Sequence, residues 1–200
     1  MKTIDAMGKV CPVPVIMTKK ALRENAGADD ITVKVDNEIA TQNLSKLAKQ
    51  MNIKSEVKKN SDASYEVVLS AKGQCAACTE MENPINAGNN GFVVVISSEQ
   101  MGTGDEEFGK KLLENFIYSL SEQDELPKKI IFYNSGVKLP CLHEKSINDL
   151  KAMEKFGTEI LACGLCLDFY HLKEKLQVGS VTNMYRITEI MRSYYTVKPC

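Results

Sequence analysis

The chain has 200 residues, 44% of them hydrophobic and 26% charged, which is enough for one large domain or two small ones and excludes wholesale disorder. With 25 basic and 26 acidic residues the net charge is −1, so the basic excess of a nucleic-acid binder is missing. No apolar run approaches the roughly 20 residues that span a bilayer, and the opening M-K-T-I-D-A-M-G-K-V lacks the apolar core of a signal peptide. A soluble, cytoplasmic protein is expected, with neither membrane nor nucleic acid among its partners. The seven cysteines then carry information. In a reducing compartment they are free, metal-bound or redox-active rather than structural disulfides, and their odd number argues against a closed internal framework.

A first short strand is expected around Thr3 to Asp5, followed by Cys11-Pro12-Val13-Pro14 and a helix. Pro14, Met17, Thr18, Ala21 and Leu22 fall on one buried stripe of that helix, with Lys19, Lys20 and Arg23 on the other side. Ile31, Val33 and Val35 alternate as a strand. Ala40, Leu44, Leu47, Ala48 and Met51 make a second helical stripe. Ile53, Ser55 and Val57 alternate again, as do Tyr65, Val67 and Leu69. The order β-α-β-α-β-β over residues 1–72 predicts a two-layer sandwich with both helices on one sheet face. Residues 73–90 have no hydrophobic period and end in Asn86-Ala87-Gly88-Asn89-Asn90-Gly91, which reads as a linker.

Residues 91–200 start a different pattern. Phe92 to Ile96 is a near-continuous apolar run, as in a strand buried on both faces. A glycine-rich turn leads to a helix with Gly109, Leu112, Leu113, Phe116, Ile117 and Leu120 inward. Lys129 to Tyr133 is a strand, Ser146 to Phe156 a helix, and Glu159 to Ala162 a third strand. Asp168 can cap a helix carrying Phe169, Leu172 and Leu176. Asn183 can cap a last helix with Met184, Ile187, Met191 and Tyr194 inward, before a short strand at Tyr195 to Val197. Alternating strands and helices imply a three-layer αβα domain with a mainly parallel sheet.

Cys11 stands at a helix start. There unpaired N–H groups and the macrodipole favour a thiolate, the nucleophilic form of cysteine. Pro12 suits the first helical position and Pro14 the first turn, where a missing N–H costs little. The alternative is a small apolar cysteine packed at a helix start. Cys163-Gly164-Leu165-Cys166 falls where a strand ends and a helix begins, the edge at which sites gather in open α/β sheets. One of its thiols can be reactive and the other resolving, or both can simply pack beside a tight turn. Cys75-Ala76-Ala77-Cys78 lies in the linker and could resolve Cys11, or join Cys163 and Cys166 around zinc. Gly102-Thr103-Gly104 misses the spacing of a phosphate loop, and the acidic Asp105, Glu106 and Glu107 behind it repel phosphate, so it reads as a structural turn. Cys141 with His143 reads as a coincidence in a loop, Cys200 as exposed, and His171 as a solvent-facing residue on the helix after Cys166.

The words I-D-A-M-G-K-V-C-P-V-P at 4–14 and K-K-A-L at 19–22 resemble the L-D-x-x-G-x-x-C-P-x-P signature of TusA/SirA-like proteins, with Ile4 in place of leucine. That resemblance implies a sulfur-relay role for Cys11, supported by Asp5, Gly8, Pro12 and Pro14. It also implies a donor such as a cysteine desulfurase, with the acceptor left open. Residues 91–200 resemble DsrE-like domains through G-T-G-D-E-E-F-G at 102–109, N-S-G-V-K-L at 134–139, C-G-L-C-L-D-F-Y at 163–170 and V-G-S-V-T-N-M-Y at 178–185. The combination is similar to the YedF family of sulfurtransferase-like selenium metabolism proteins. These resemblances imply sulfur or selenium held on cysteine, a second relay thiol at Cys163 or Cys166, and homo-oligomers formed through the C-terminal domain. No organic cofactor is needed, because thiolate exchange carries the chemistry. Two other readings stay open: a dithiol–disulfide oxidoreductase on Cys163/Cys166 or Cys75/Cys78, and a zinc-stapled, non-catalytic adaptor.

Overall fold

A computed structural model describes residues 2–10, 12–25, 28–70 and 91–200. The chain divides into two compact units, Met1–Glu82 and Asn83–Cys200. Cys11, Cys75, Cys78 and most of the expected linker lie outside the described residues.

In the first unit β1 (Lys2–Asp5), α1 (Val13–Asn25), β2 (Ile31–Val35), α2 (Glu38–Gln50), β3 (Lys54–Ser61) and β4 (Ser64–Ser70) follow in the expected order. They build a four-stranded sheet ordered β1-β2-β4-β3, with β1 parallel to β2 and the other pairs antiparallel. Ile31, Val33 and Val35 alternate onto one face, beside Val67 and Leu69 of β4. Ala21 and Leu22 of α1 and Ala40, Leu44, Leu47 and Ala48 of α2 close over that face in one core. Helix α2 begins at Asn37, whose side chain accepts from the Ala40 N–H and satisfies one of the donors a helix start leaves open. Strand β3 is exposed along its whole length, although Val57 suggested an inward position. It is the sheet edge, where Lys54, Lys58 and Lys59 discourage pairing with another chain.

The second unit holds a five-stranded, all-parallel sheet ordered β8-β7-β6-β5-β9. Its strands are β5 (Phe92–Ile96), β6 (Lys129–Phe132), β7 (Glu159–Cys163), β8 (Ser180–Thr182) and β9 (Tyr195–Val197). Helices α3 (Glu106–Ser121), α4 (Leu139–Leu142), α5 (Glu144–Lys155), α6 (Gly164–Phe169) and α7 (Met184–Ser193) connect them. Val94, Ile96, Ile130, Phe132, Ile160 and Ala162 face α3 and α5, where Leu113, Ile117, Ile147, Leu150 and Met153 meet them. Val93, Val95, Ile131, Leu161 and Cys163 face the other way, against Ile187 and Ile190 of α7. Burial on both faces is why these strands read as continuous apolar runs. The fold is therefore the expected pair: a two-layer α/β unit followed by a three-layer αβα unit.

Several local expectations are corrected. Asp168 caps no helix: α6 starts at Gly164 with Cys163 in the capping position, so Asp168 sits near its end. Phe169 is exposed, and Leu172 is buried beyond the helix, beside a 3-10 turn at Lys173–Lys175. His171 also lies past the helix, exposed and with a left-handed φ of 57°. Leu112 and Met184 are exposed, while Ile190, outside the expected stripe, is buried. Strand β8 has no hydrophobic signature, because Ser180 and Val181 are exposed at the sheet edge. Pro12 stands before α1, in the capping position rather than at the first helical residue. Its carbonyl accepts from the Val15 and Ile16 N–H groups.

Candidate functional site

The loop that leads to Cys11 is fixed by hydrogen bonds its sequence only half reveals. The Asp5 carboxylate accepts from the Met7 N–H at 3.1 Å, turning the chain away from β1. Gly8 then adopts a φ of +69°, which an L side chain disfavours. Its N–H donates to Asp36 Oδ2 at 2.8 Å, and the Ala6 N–H donates to the Lys34 carbonyl at 2.9 Å. The turn after β2 thus anchors the loop before α1. The Asn37 side chain and the Gly8 N–H hold the Asp36 carboxyl below its ordinary pKa. Asp36 was not among the residues picked out in the sequence, since it lies 28 positions from Gly8 and stands in no motif. Pro14 is buried in the first turn of α1, and its carbonyl accepts from the Thr18 hydroxyl at 2.7 Å. Met7 and Val10 are exposed on this loop, as is Ile39 at the start of α2.

In the second unit the site lies at the carboxyl ends of β5, β6 and β7. Cys163 ends β7 and is 1% exposed, whereas Cys166, three residues on, is half-buried. These are the cap and third positions of α6. Gly164 between them lies close to β8: a Cβ there would stand 2.9 Å from Val181 Cγ1. The backbone N–H of Asn134 donates to Cys166 Sγ at 3.0 Å. The Cys166 thiol's pKa is raised, first by burial; the Asn134 N–H lowers it in part, and the neighbouring Cys163 thiol raises it.

Asn134 holds this position in a left-handed conformation, φ 50°, at the start of the 3-10 turn Asn134–Lys138 that follows β6. Its side-chain oxygen accepts from the Tyr170 hydroxyl at 3.1 Å. Lys138 lies 5.2 Å from the centre of the Tyr170 ring and pairs with Glu99 at 2.8 Å. The turn is pressed against β5 so closely that a Cβ on Gly136 would stand 2.4 Å from the Ile96 carbonyl oxygen. Sequence reading used N-S-G-V-K-L only as a word of resemblance. No spacing rule would have joined Asn134 to a thiol 32 residues away.

The remaining described cysteines separate clearly. Cys141 is not in a loop but in α4, buried, with its pKa raised by burial alone. Cys200, expected to be exposed, is half-buried beside the end of β5, where the Ser97 N–H donates to its sulfur at 3.3 Å and the Ser97 hydroxyl to its carbonyl at 3.2 Å. Gly102 has a φ of +80°, and Asp105 caps α3 by accepting from the Phe108 N–H. Among the described residues no group of three or more His, Cys, Asp or Glu side chains could hold a metal ion. No helix among them is long and apolar enough to cross a membrane.

The fold and its two loops define a class: an α/β protein with a small thiol-bearing sandwich unit ahead of a parallel-sheet unit. The family profile described as "Sulfurtransferase TusA" matches residues 2–71. The "Putative sulfur carrier protein MJ0990" of Methanocaldococcus jannaschii is 30% identical over 69 residues, which are 34% of this chain and 92% of that protein. Through its N-terminal unit the chain belongs to the TusA family. The SirA-like protein DSY4693 of Desulfitobacterium hafniense is 48% identical in its crystal structure, covers 36% of this chain and 99% of its own, and gives a TM-score of 0.35. BT1422 of Bacteroides thetaiotaomicron, a conserved protein of unknown function, is 16% identical over 55% of this chain and 95% of its own, with a TM-score of 0.40.

Proposed function

We propose that this protein is a sulfur or selenium carrier in which Cys11 accepts a sulfane atom and passes it on as a persulfide or its selenium counterpart. Membership of residues 2–71 in the TusA family carries this reading and supports a sulfur-relay role. The chemistry requires an accessible thiolate on a rigid loop. The Asp5–Met7 and Gly8–Asp36 hydrogen bonds supply rigidity just before position 11, and Pro12 and Pro14 supply it just after. The donor is a protein persulfide such as that of a cysteine desulfurase. Thiolate exchange moves the sulfane sulfur from the donor cysteine to Cys11, leaving the donor as a thiol. The words shared with DsrE-like domains and the YedF pattern favour a second thiol in the same pathway, at Cys163 or Cys166, and extend the cargo to selenium.

The test is intact-mass analysis of the full chain after incubation with a cysteine desulfurase and cysteine, without reductant. A reducible one-sulfur adduct that is present in the wild type and absent from Cys11→Ala is expected. A wild-type adduct that peptide mapping places on another cysteine, with none on Cys11, would overturn the assignment. A second reading, a dithiol–disulfide oxidoreductase, is favoured by Cys163 and Cys166 standing at the cap and third positions of one helix. It predicts loss of two hydrogens from that pair in place of the adduct.

A further inference from the structure

We propose that the Cys163/Cys166 pair is a persulfide-reducing centre, which takes a sulfane sulfur on Cys166 and expels it as hydrosulfide when Cys163 closes a disulfide. This joins the two readings above at a single site but does not depend on Cys11, because any alkyl persulfide can supply the sulfur.

Access decides the order of the thiols. Cys163 is 1% exposed and packed against the α7 side of the sheet, so it cannot meet an incoming reagent. Cys166 is half-buried and therefore partly open to solvent. The Asn134 N–H is aimed at Cys166 Sγ at 3.0 Å and offsets part of the cost that burial places on its anionic form. Asn134 is held there by its left-handed φ, by Tyr170, and by a turn that Gly136 seats directly on β5. These are positioning residues: they touch the thiol or its neighbours and transfer nothing themselves.

In the first step the Cys166 thiolate attacks the terminal sulfur of R–S–SH, forming Cys166–S–SH and releasing R–S⁻, which takes up a proton. In the second the Cys163 thiolate attacks the Cys166 sulfur, and HS⁻ leaves with the pair of electrons of the broken S–S bond. The products are a Cys163–Cys166 disulfide and hydrosulfide. The sulfane sulfur is reduced and the two thiols are oxidised, so no outside oxidant is required. An external dithiol reductant restores the pair for another turnover. The spacing suits closure, because Cys163 and Cys166 stand at the cap and third positions of the same helical turn.

The experiment uses the full chain carrying Cys11→Ala, pre-reduced and mixed anaerobically with an equivalent of glutathione persulfide. Released sulfide is measured and the disulfide is located by peptide mapping. About one hydrosulfide per chain and a Cys163–Cys166 bridge are expected. With Cys163→Ser added, sulfide release should fall roughly tenfold or more while a one-sulfur adduct accumulates on Cys166. With Cys166→Ser added, both signals should vanish. A stable adduct on Cys166 in the Cys163-containing protein, with no sulfide, would overturn the proposal. So would undiminished release from the Cys166→Ser protein. Because either variant could fail to fold, the Cys11→Ala protein is also alkylated while native: Cys166 should react well before Cys163, and the reverse order would overturn the assignment of roles. Failure of the Cys11 reading leaves all of these outcomes unchanged.

Discussion

The first unit's sheet buries one face and the second unit's sheet buries two. In the first, Val33 is fully buried while Lys34 beside it is exposed, and the edge strand β3 is exposed throughout. In the second, Val93 to Ile96 are all buried, with neighbouring side chains feeding opposite cores. The difference carries over to the thiol loops. The one-sided sheet tethers the loop before position 11 from a single neighbouring turn, through Asp36. The two-sided sheet crowds the turn after β6, the end of β5 and the start of α6 together, and Cys166 accepts from the backbone of that turn. A loop at the edge of one packed layer is suited to presenting a thiol, whereas a cleft between several strand ends is suited to pairing one.

Truncation experiments can break this comparison. Phe132→Ala should cost the second unit about 3–5 kcal/mol in urea denaturation, since the ring is fully buried between sheet and helices. Val57→Ala on the exposed edge strand should change stability by no more than about 0.5 kcal/mol. Comparable losses at both sites would end the contrast between the sheets.

Gly136→Ala sharpens it. The added methyl would meet the Ile96 carbonyl and force the Asn134 turn outward, costing about 1–3 kcal/mol. It should also speed alkylation of Cys166 by loosening its surroundings. Unchanged thiol reactivity would separate the turn from the site.

A smaller effect concerns Asp149 on α5, whose carboxyl is pushed up to about 6 by burial and by the nearby Glu122 and Glu114 charges. A raised carboxyl pKa means that ionisation opposes folding. The stability present below the ordinary value of 3.8 is lost as pH rises through 6. Asp149→Asn should therefore stabilise the second unit near a pH of about 7.5, on the order of 1 kcal/mol after allowance for solvent screening, and change little below a pH of about 3.8. Denaturation at the two pH values checks the sign.

The smallest expected effect is kinetic. Asp36→Ala removes the acceptor for the Gly8 N–H and should slow sulfur loading of Cys11 by a few fold, without preventing the first unit from folding. Loading at the wild-type rate would show that this tether does not position the thiol.

The legibility of the site follows the range of the interactions that make it. Gly8 and the Cys11-Pro12-Val13-Pro14 word are local, and a glycine at positive φ followed by proline-framed helix entry leaves a signature within a dozen residues. The Cys163 to Cys166 spacing is equally visible. Its setting is not: Asp168 suggests a later helix start, whereas Cys163 holds the capping position of α6. Cys200 was misjudged because a terminal residue looks solvent-exposed in sequence, while Ser97 receives it at the end of β5. Strand β8 went unseen because an edge strand of three residues buries too little to leave a period.

The sequence by itself determined the two architectures, since hydrophobic periods of two and 3.6 and continuous apolar runs follow directly from which faces are buried. It also displayed the Cys163-to-Cys166 spacing behind an apolar strand. Only the tertiary structure decided that Asp36 holds Gly8, that Asn134 holds Cys166, and that Cys163 is hidden while Cys166 is open. Each depends on residues distant along the chain meeting at the end of a sheet, and a hydrogen bond formed there by strand order imposes no periodicity on the residues between.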